Sequence, residues 1–353
     1  MDIYVLDGLN GVKDILENFK SSVWNVQYNG LNDFQLVAPA TEKNLSLLTY
    51  GAYLVRAEDA SADGFKNVMI CENIKIDISS EEGWLITVTG RGLKSILECR
   101  IVWGQKNISG RAEASIRGLI TSEVISPSIS ARAIPNFILG EDKGLQKTLE
   151  TQLFGENLAT WIQEACSMLG YGWDVSISSD KYVFQIYEGT DRATGTERVI
   201  FSPTFDNLLS SSYQNNREAY QNAALIGGEG EGTSKRTASI GTASGIERFE
   251  AYIDGSSVSS NGEIITEETY IEMLKGYGET QISKTKFTER FEGEVEPSGI
   301  YKLNEDYFLG DLVLVENELG ISAVSRINEI IYAEDENGSS VVPTFSEWEV
   351  ENI

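Results

Sequence analysis

The sequence predicts an α+β chain that is mainly β. Short runs of alternating apolar and polar residues, spaced by turn signals, fill the first hundred positions and return after Val199. Between them the period changes: Leu158, Trp161, Ile162, Ala165 and Leu169 fall at i, i+3, i+4, i+7 and i+11, the spacing of one helix face. The 33 glycines against only 6 prolines suit a chain with many tight turns. At 353 residues there is room for two or three domains, and the patterning divides the chain at 1–103, 104–198 and 199–353.

In the first division residues 2–7 read as a short strand. Trp24, Val26 and Tyr28 share one face of the next, and Asn29-Gly30 turns the chain before Phe34, Leu36 and Val37. Tyr53-Leu54-Val55 and Val68-Met69-Ile70 read as further strands. IKIDIS and WLITVTG follow, joined by a turn at Ser80-Glu81-Glu82-Gly83. About six strands spaced by turns predict a small barrel or sandwich. One short helix within residues 90–102 is then expected, with Leu93, Ile96 and Leu97 capping the open end.

In the second division Asn157 caps the periodic helix and Gly170 stops it. Short helices are expected within 126–149, and strands around Trp173 to Ile177 and Tyr182 to Tyr187. The third division returns to strands, with a helical insertion near 262–285. Thr266 is its N-cap, Glu267 and Glu268 suit the positive end of the helix dipole, and Gly276 and Gly278 weaken its middle. Residues 309–330, LGDLVLVENELGISAVSRINEI, read as a hairpin apolar on both faces, so something must enclose it.

Composition excludes several kinds of chemistry. There is no histidine, which removes Ser-His-Asp and Cys-His nucleophile systems and histidine metal ligands. Cys71, Cys99 and Cys166 are far apart and form no C-x-x-C pair, so they are read as reduced and mostly buried. With 28 basic and 54 acidic residues the net charge is −26, against non-specific nucleic-acid binding and anionic membrane surfaces. Acidity serves solubility, or keeps a polyanion from adhering to a surface it passes. No apolar run is long enough for a membrane span, and the first residues lack a signal-peptide pattern.

The remaining candidate sites are weak. GGEGEG, residues 227–232, lacks the G-x-G-x-x-G spacing, and Glu229 and Glu231 would repel a phosphate, so it reads as a mobile loop. DENGSS, residues 335–340, lacks an EF-hand's ligand run and reads as a hairpin turn at Asn337-Gly338. Glu188 with Asp191, or Asp306 with Asp311, offer the paired carboxylates of a glycosidase, but 54 acids produce such pairs by chance. The aromatics, 6 Trp, 15 Tyr and 13 Phe, read as core rather than a sugar platform. No catalytic, cofactor-binding or metal-ligating residue is predicted, and no cofactor.

Five stretches taken together carry a resemblance: WNVQYNGLNDFQLVAP, VTGRGLKSILECRIV, FQIYEGTDRATGTERVIFSPTFDNLL, YQNAALIGGEGEG and YFLGDLVLVENELGISAVSRI. In this order, over residues 1–345, they resemble the siphophage tail-hub proteins, the N-terminal part of tail-associated proteins of Gram-positive phages and prophages. The resemblance implies a fold similar to the baseplate hub of contractile tails. It makes residues 1–103 and 199–353 two β-barrel-like hub domains, with an α+β domain at 104–198, and residues 309–330 the closing hairpin of the second barrel. It also implies a homotrimeric ring at the virion tail tip, made in the bacterial cytoplasm. Its partners would be the distal tail protein, the tape-measure protein and tail fibre or tip proteins, with genome DNA passing through unbound and no membrane anchor. The role would be structural and not enzymatic. Many relatives continue into a fibre or a peptidoglycan-cleaving domain, so host binding or wall cleavage is expected from another polypeptide. A secreted or surface carbohydrate-binding, adhesive protein is the alternative reading.

Overall fold

The computed structural model describes residues 2–16, 18–79, 83–260, 265–285, 288–295, 299–320, 322–345 and 347–348. It is mainly β, built from several sheets. The first third holds β1 (Ile3–Leu6), β2 (Val12–Leu16), β3 (Ser21–Gln27), β4 (Asp33–Pro39), helix α1 (Glu42–Leu47) and β5 (Tyr53–Arg56). Two-residue strands β6 (Ala60–Ser61) and β7 (Gly64–Phe65) lead to the long pair β8 (Met69–Ser79) and β9 (Gly83–Gly92). Trp24 and Val26 of β3 point inward, as the alternation requires. The expected strands at Val68 to Ile70 and IKIDIS are one strand, β8. A bulge absorbs Glu72, so that Cys71 faces Gly90 and Asn73 faces Thr89. Gly90 is needed there, because a Cβ would lie 1.8 Å from the Ile70 carbonyl oxygen. The expected turn at Ser80-Glu81-Glu82 lies outside the described residues.

Helix α1 has six residues, too few to display a helical period in the sequence. Thr41 caps it, its hydroxyl accepting from the Asn44 N–H at 3.1 Å. The segment expected to cap the first barrel is a 3₁₀ turn, Leu93–Cys99. Leu93 and Leu97 pack instead with the helices of the middle third.

That third contains β10 (Gln105–Ile108), α2 (Ala112–Ile120), β11 (Phe137–Leu139), β12 (Thr151–Phe154), α3 (Leu158–Leu169), β13 (Gly172–Ser178) and β14 (Lys181–Tyr187). Helix α2 precedes the 126–149 window in which helices were expected, and that window holds one 3₁₀ turn and β11. The following loop runs extended over α2, because the buried Glu113 carboxylate accepts the N–H groups of Lys143 (2.6 Å) and Leu145 (2.8 Å). Helix α3 has both predicted ends: the Asn157 side chain accepts from the Thr160 N–H, and Gly170 is left-handed at φ 66°.

The last third comprises β15 (Ile200–Phe201), β16 (Leu208–Asn216), β17 (Ala223–Gly227), β18 (Thr237–Ile240), β19 (Glu250–Asp254), α4 (Glu267–Ile282) and β20 (Thr288–Val295). It closes with β21 (Leu312–Glu316), β22 (Ser322–Asp335), β23 (Gly338–Phe345) and β24 (Glu347–Trp348). Thr266 caps α4 as expected. Its two glycines are contact points: a Cβ on Gly276 would lie 1.7 Å from the Glu150 carbonyl oxygen, and one on Gly278 2.5 Å from Ile226. The helix therefore trades propensity for close approach to β12 on one side and β17 on the other.

Strand β22 joins the two ends of the chain. Its first half pairs β21, from Ser322 to Arg326, and its second half pairs β3, from Glu329 to Glu334, with β23 on the other side. The resulting sheet runs β15-β21-β22-β3-β4-β9-β8-β5-β1-β2. The hairpin of residues 309–330 is thus buried on one face, at Val313, Val315, Ala323 and Ile327, while Val324 on the other face is exposed, and its end pairs β3 of the first third from Glu329 onward. Two apolar clusters meet at Tyr332 of β22, one around Trp24, Leu36 and Val88, another around Phe201, Val313 and Phe345.

Candidate functional site

The three thirds of the chain meet around one side chain, Tyr28, which follows β3 and is fully buried. Its hydroxyl accepts the Gly189 N–H at 3.0 Å and lies 3.2 Å from the Gly170 carbonyl oxygen. Its own N–H donates to the Asn328 carbonyl at 2.8 Å, and its carbonyl accepts from the Trp173 N–H at 3.2 Å. One residue thereby ties β3 to β22 and to β13. Glycines make the ring fit: a Cβ on Gly172 or Gly310 would lie 2.3 Å or 2.2 Å from it. The Arg326 guanidinium sits 5.3 Å from the ring centroid and donates to the Gly310 carbonyl at 2.6 Å.

Beside it lies a buried anion. Asp311 is 3% exposed and accepts three bonds, from the Thr190 N–H (2.8 Å), the Phe308 N–H (3.0 Å) and Arg192 Nε (2.6 Å). These bonds fix the 189–192 connection to the entry of β21. Lys94 supplies a third tie. Buried in the 3₁₀ turn, it donates to the carbonyls of Gln27 (2.6 Å) and Gly30 (3.0 Å), while the Trp173 indole donates to Asn29 at 2.6 Å. The β3–β4 turn is thus held from the middle third.

The candidate carboxylates have other work. Glu188 is in a part-exposed ion pair with Lys147 at 3.0 Å. Asp191 accepts from Ala193 and Thr194 of its own loop, and Asp306 accepts the Lys302 N–H. Asp311 is the anchor just described. The 227–232 segment is knotted by its own acid: Glu229 accepts from both Ser259 and Ser260 hydroxyls and from Arg236, and its N–H donates to the Tyr270 hydroxyl at 2.8 Å. The turn at 335–338 is centred one residue earlier than expected, with Asp335 facing Gly338 and accepting the Asn337 N–H. Cys71 and Cys166 are buried and Cys99 is exposed, and none of the three is in a disulfide. Among the described residues no cluster of acids and cysteines is arranged to hold a metal ion, and no helix is long and apolar enough to cross a membrane.

Burial perturbs the joint's titrating groups in opposite directions. It pulls the Lys94 ammonium down to about 8, partly opposed by Asp174. It pushes the Tyr28 phenol up to about 12 against the opposing charge of Arg326, and Tyr307 also to about 12. Between pH 8 and about 10 the unfolded chain holds the Lys94 proton that the folded chain has lost, so stability rises with pH. Above about 10 the unfolded chain loses tyrosine protons that the folded chain retains, so stability falls towards pH 12. The buried Cys71 and Cys166 thiols, also pushed up to about 12, add to the fall from about pH 9, so the lysine is read by difference. Between pH 7 and 9.5 the urea midpoint is expected to rise relative to that of Lys94→Met, and both are expected to drop by pH 11.5. An identical pH response in the two proteins would refute the assignment.

Comparison with known proteins identifies the group. The family model described as Siphovirus ReqiPepy6 Gp37-like protein matches residues 2–345. The chain belongs to the siphovirus ReqiPepy6 Gp37-like family. No curated protein sequence matches it. Three solved structures share the fold of this Gp37-like chain almost end to end. The 43 kDa tail protein of prophage MuSo2 from Shewanella oneidensis has a TM-score of 0.58 at 14% identity, covering 99% of this chain and 98% of that one. The tail protein from Neisseria meningitidis MC58 has 0.58 at 10%, covering 99% and 96%. Prophage tail protein gp18 from Listeria monocytogenes EGD-e has 0.54 at 14%, covering 100% and 96%. The chain therefore belongs to a siphovirus family and shares its fold with these three tail proteins.

Nothing in the local sequence pattern marks Lys94 or Tyr28 of this Gp37-like protein as a joint. A lysine in a short helical turn reads as solvated, and Tyr28 reads as one more inward residue of β3. The available signal was the set of glycines, Gly170, Gly172, Gly189 and Gly310, at otherwise unrelated turns.

Proposed function

We propose that this chain is a structural component of a phage or prophage tail tip. Three copies form a hub ring that closes or extends the tail tube and connects the distal tail ring to fibre or tip proteins. The observation that carries this reading is the end-to-end match of fold with prophage tail proteins. Residues 1–103 and 199–353 supply the two ring-building units, and 104–198 the part between them. The joint at Tyr28, Asp311 and Lys94 would hold the two units in one orientation. Six such units in three chains match a sixfold tube end, while three chains match a threefold tip.

The charge supports passage of DNA without binding, because −26 per chain repels phosphate from any bore the ring encloses. The role is structural and not enzymatic: the buried Asp311 is occupied in tying the chain together, and Glu188 is in a surface ion pair. Partners are the distal tail, tape-measure and fibre or tip proteins. An antibody against this chain, gold-labelled and imaged on intact particles, is expected to mark the tail end distal to the head. Label along the tube or at the head would contradict the reading.

A further inference from the structure

Among the described residues, the long strands β8 and β16 each have a stretch of backbone edge that no described strand pairs. β8 pairs β9 along its length, but on its other side β5 reaches only Met69 and Ile70, and Cys71 then bonds to Gly51 and Ala52. No described strand pairs residues 73–79 on that side. β16 pairs β20 from Leu208 to Asn216, and no described strand lies on its other edge. Bare edges of this length are normally shortened, bulged or charged to prevent pairing with other chains.

Neither edge carries net charge. Lys75 and Asp77 of β8 neutralise each other at 2.8 Å, and LLSSSYQNN of β16 contains no charged residue. On a chain of −26, these are edges whose own residues add no net charge against the approach of a second copy. The β8 edge is also apolar. Ile76, Ile78 and Trp84 are 48%, 64% and 60% exposed, Ile78 facing Trp84 across the pair. They continue outward the row of Ile74, Ile86 and Val88, which packs into the core. Leu209 on β16 is 54% exposed. β23 is uncharged as well, but Pro343 lacks the N–H a new ladder needs, and β20 packs beside it.

We infer that the open edge of β8 in one copy pairs with the open edge of β16 in the next, continuing the sheet from chain to chain. The two edges differ, so the contact is heterologous and closes into a ring when the rotation allows. This rests on the trimeric ring proposed above.

Adjacent paired strands lie about 4.8 Å apart, within reach of a short bismaleimide when each carries a cysteine. The test uses a Cys99→Ser background, which leaves only buried cysteines, with Asp77→Cys and Ser212→Cys in the same chain. The sample is mixed with the distal tail protein, its mass is measured by light scattering, and it is then cross-linked. A trimeric mass with covalent dimers and trimers that require both cysteines supports the pairing. A trimeric mass without cross-links overturns the pairing and leaves the ring standing. Cross-links from Asp77→Cys alone overturn it in favour of β8 meeting β8, and cross-links only to the distal tail protein overturn it in favour of that partner. Monomers alone overturn both pairing and ring.

Discussion

Asp311→Ala is expected to destabilise the chain by about 3–5 kcal/mol, the cost of removing one partner from a buried charge pair. The carboxylate is nearly inaccessible, and its three donors come from the 190–192 connection and from Phe308. Without it Arg192 Nε and two backbone N–H groups lose their acceptor in a place water barely reaches. Asp311→Asn should be milder, since one oxygen remains to accept from Thr190. The effect is read as a shift in urea midpoint at constant slope. A loss within about 0.5 kcal/mol, the range typical of surface substitutions, would show that the anchor contributes little.

Gly310→Ala is expected to cost roughly 2–5 kcal/mol, from two separable causes. Gly310 has φ +96°, where an L-residue is strained, and its added Cβ would lie 2.2 Å from the Tyr28 ring. Trimming the ring separates them. In a Tyr28→Ala background, itself expected to be about 3–5 kcal/mol less stable, Gly310→Ala should cost only the backbone part, about 1–3 kcal/mol. A double-mutant cycle measures the difference, and full additivity would mean that ring and glycine do not meet in solution.

Features legible in the sequence are those set by neighbours along the chain. Asn157 and Gly170 define α3 because capping and left-handed termination act within a few residues, and Thr266 does the same for α4. The Asn29-Gly30 turn and the alternation of β3 and β4 are local in the same sense. Illegible features depend on distant partners. The passage of β22 from the last third into a pairing with β3 joins residues some 300 positions apart, and no local periodicity encodes it. The bulge at Glu72 made one strand look like two, because a single extra residue shifts the alternation to the other face. Asp311 looked like half of a catalytic pair because a sequence shows a carboxylate's presence but not the donors around it.

The hub ring is tested most directly by mass. Light scattering on the purified chain, alone and mixed with the distal tail protein, is predicted to give a species containing three chains of 38.9 kDa each in at least one of the two conditions. A chain that remains monomeric in both, at concentrations where the distal ring itself is assembled, would contradict the account.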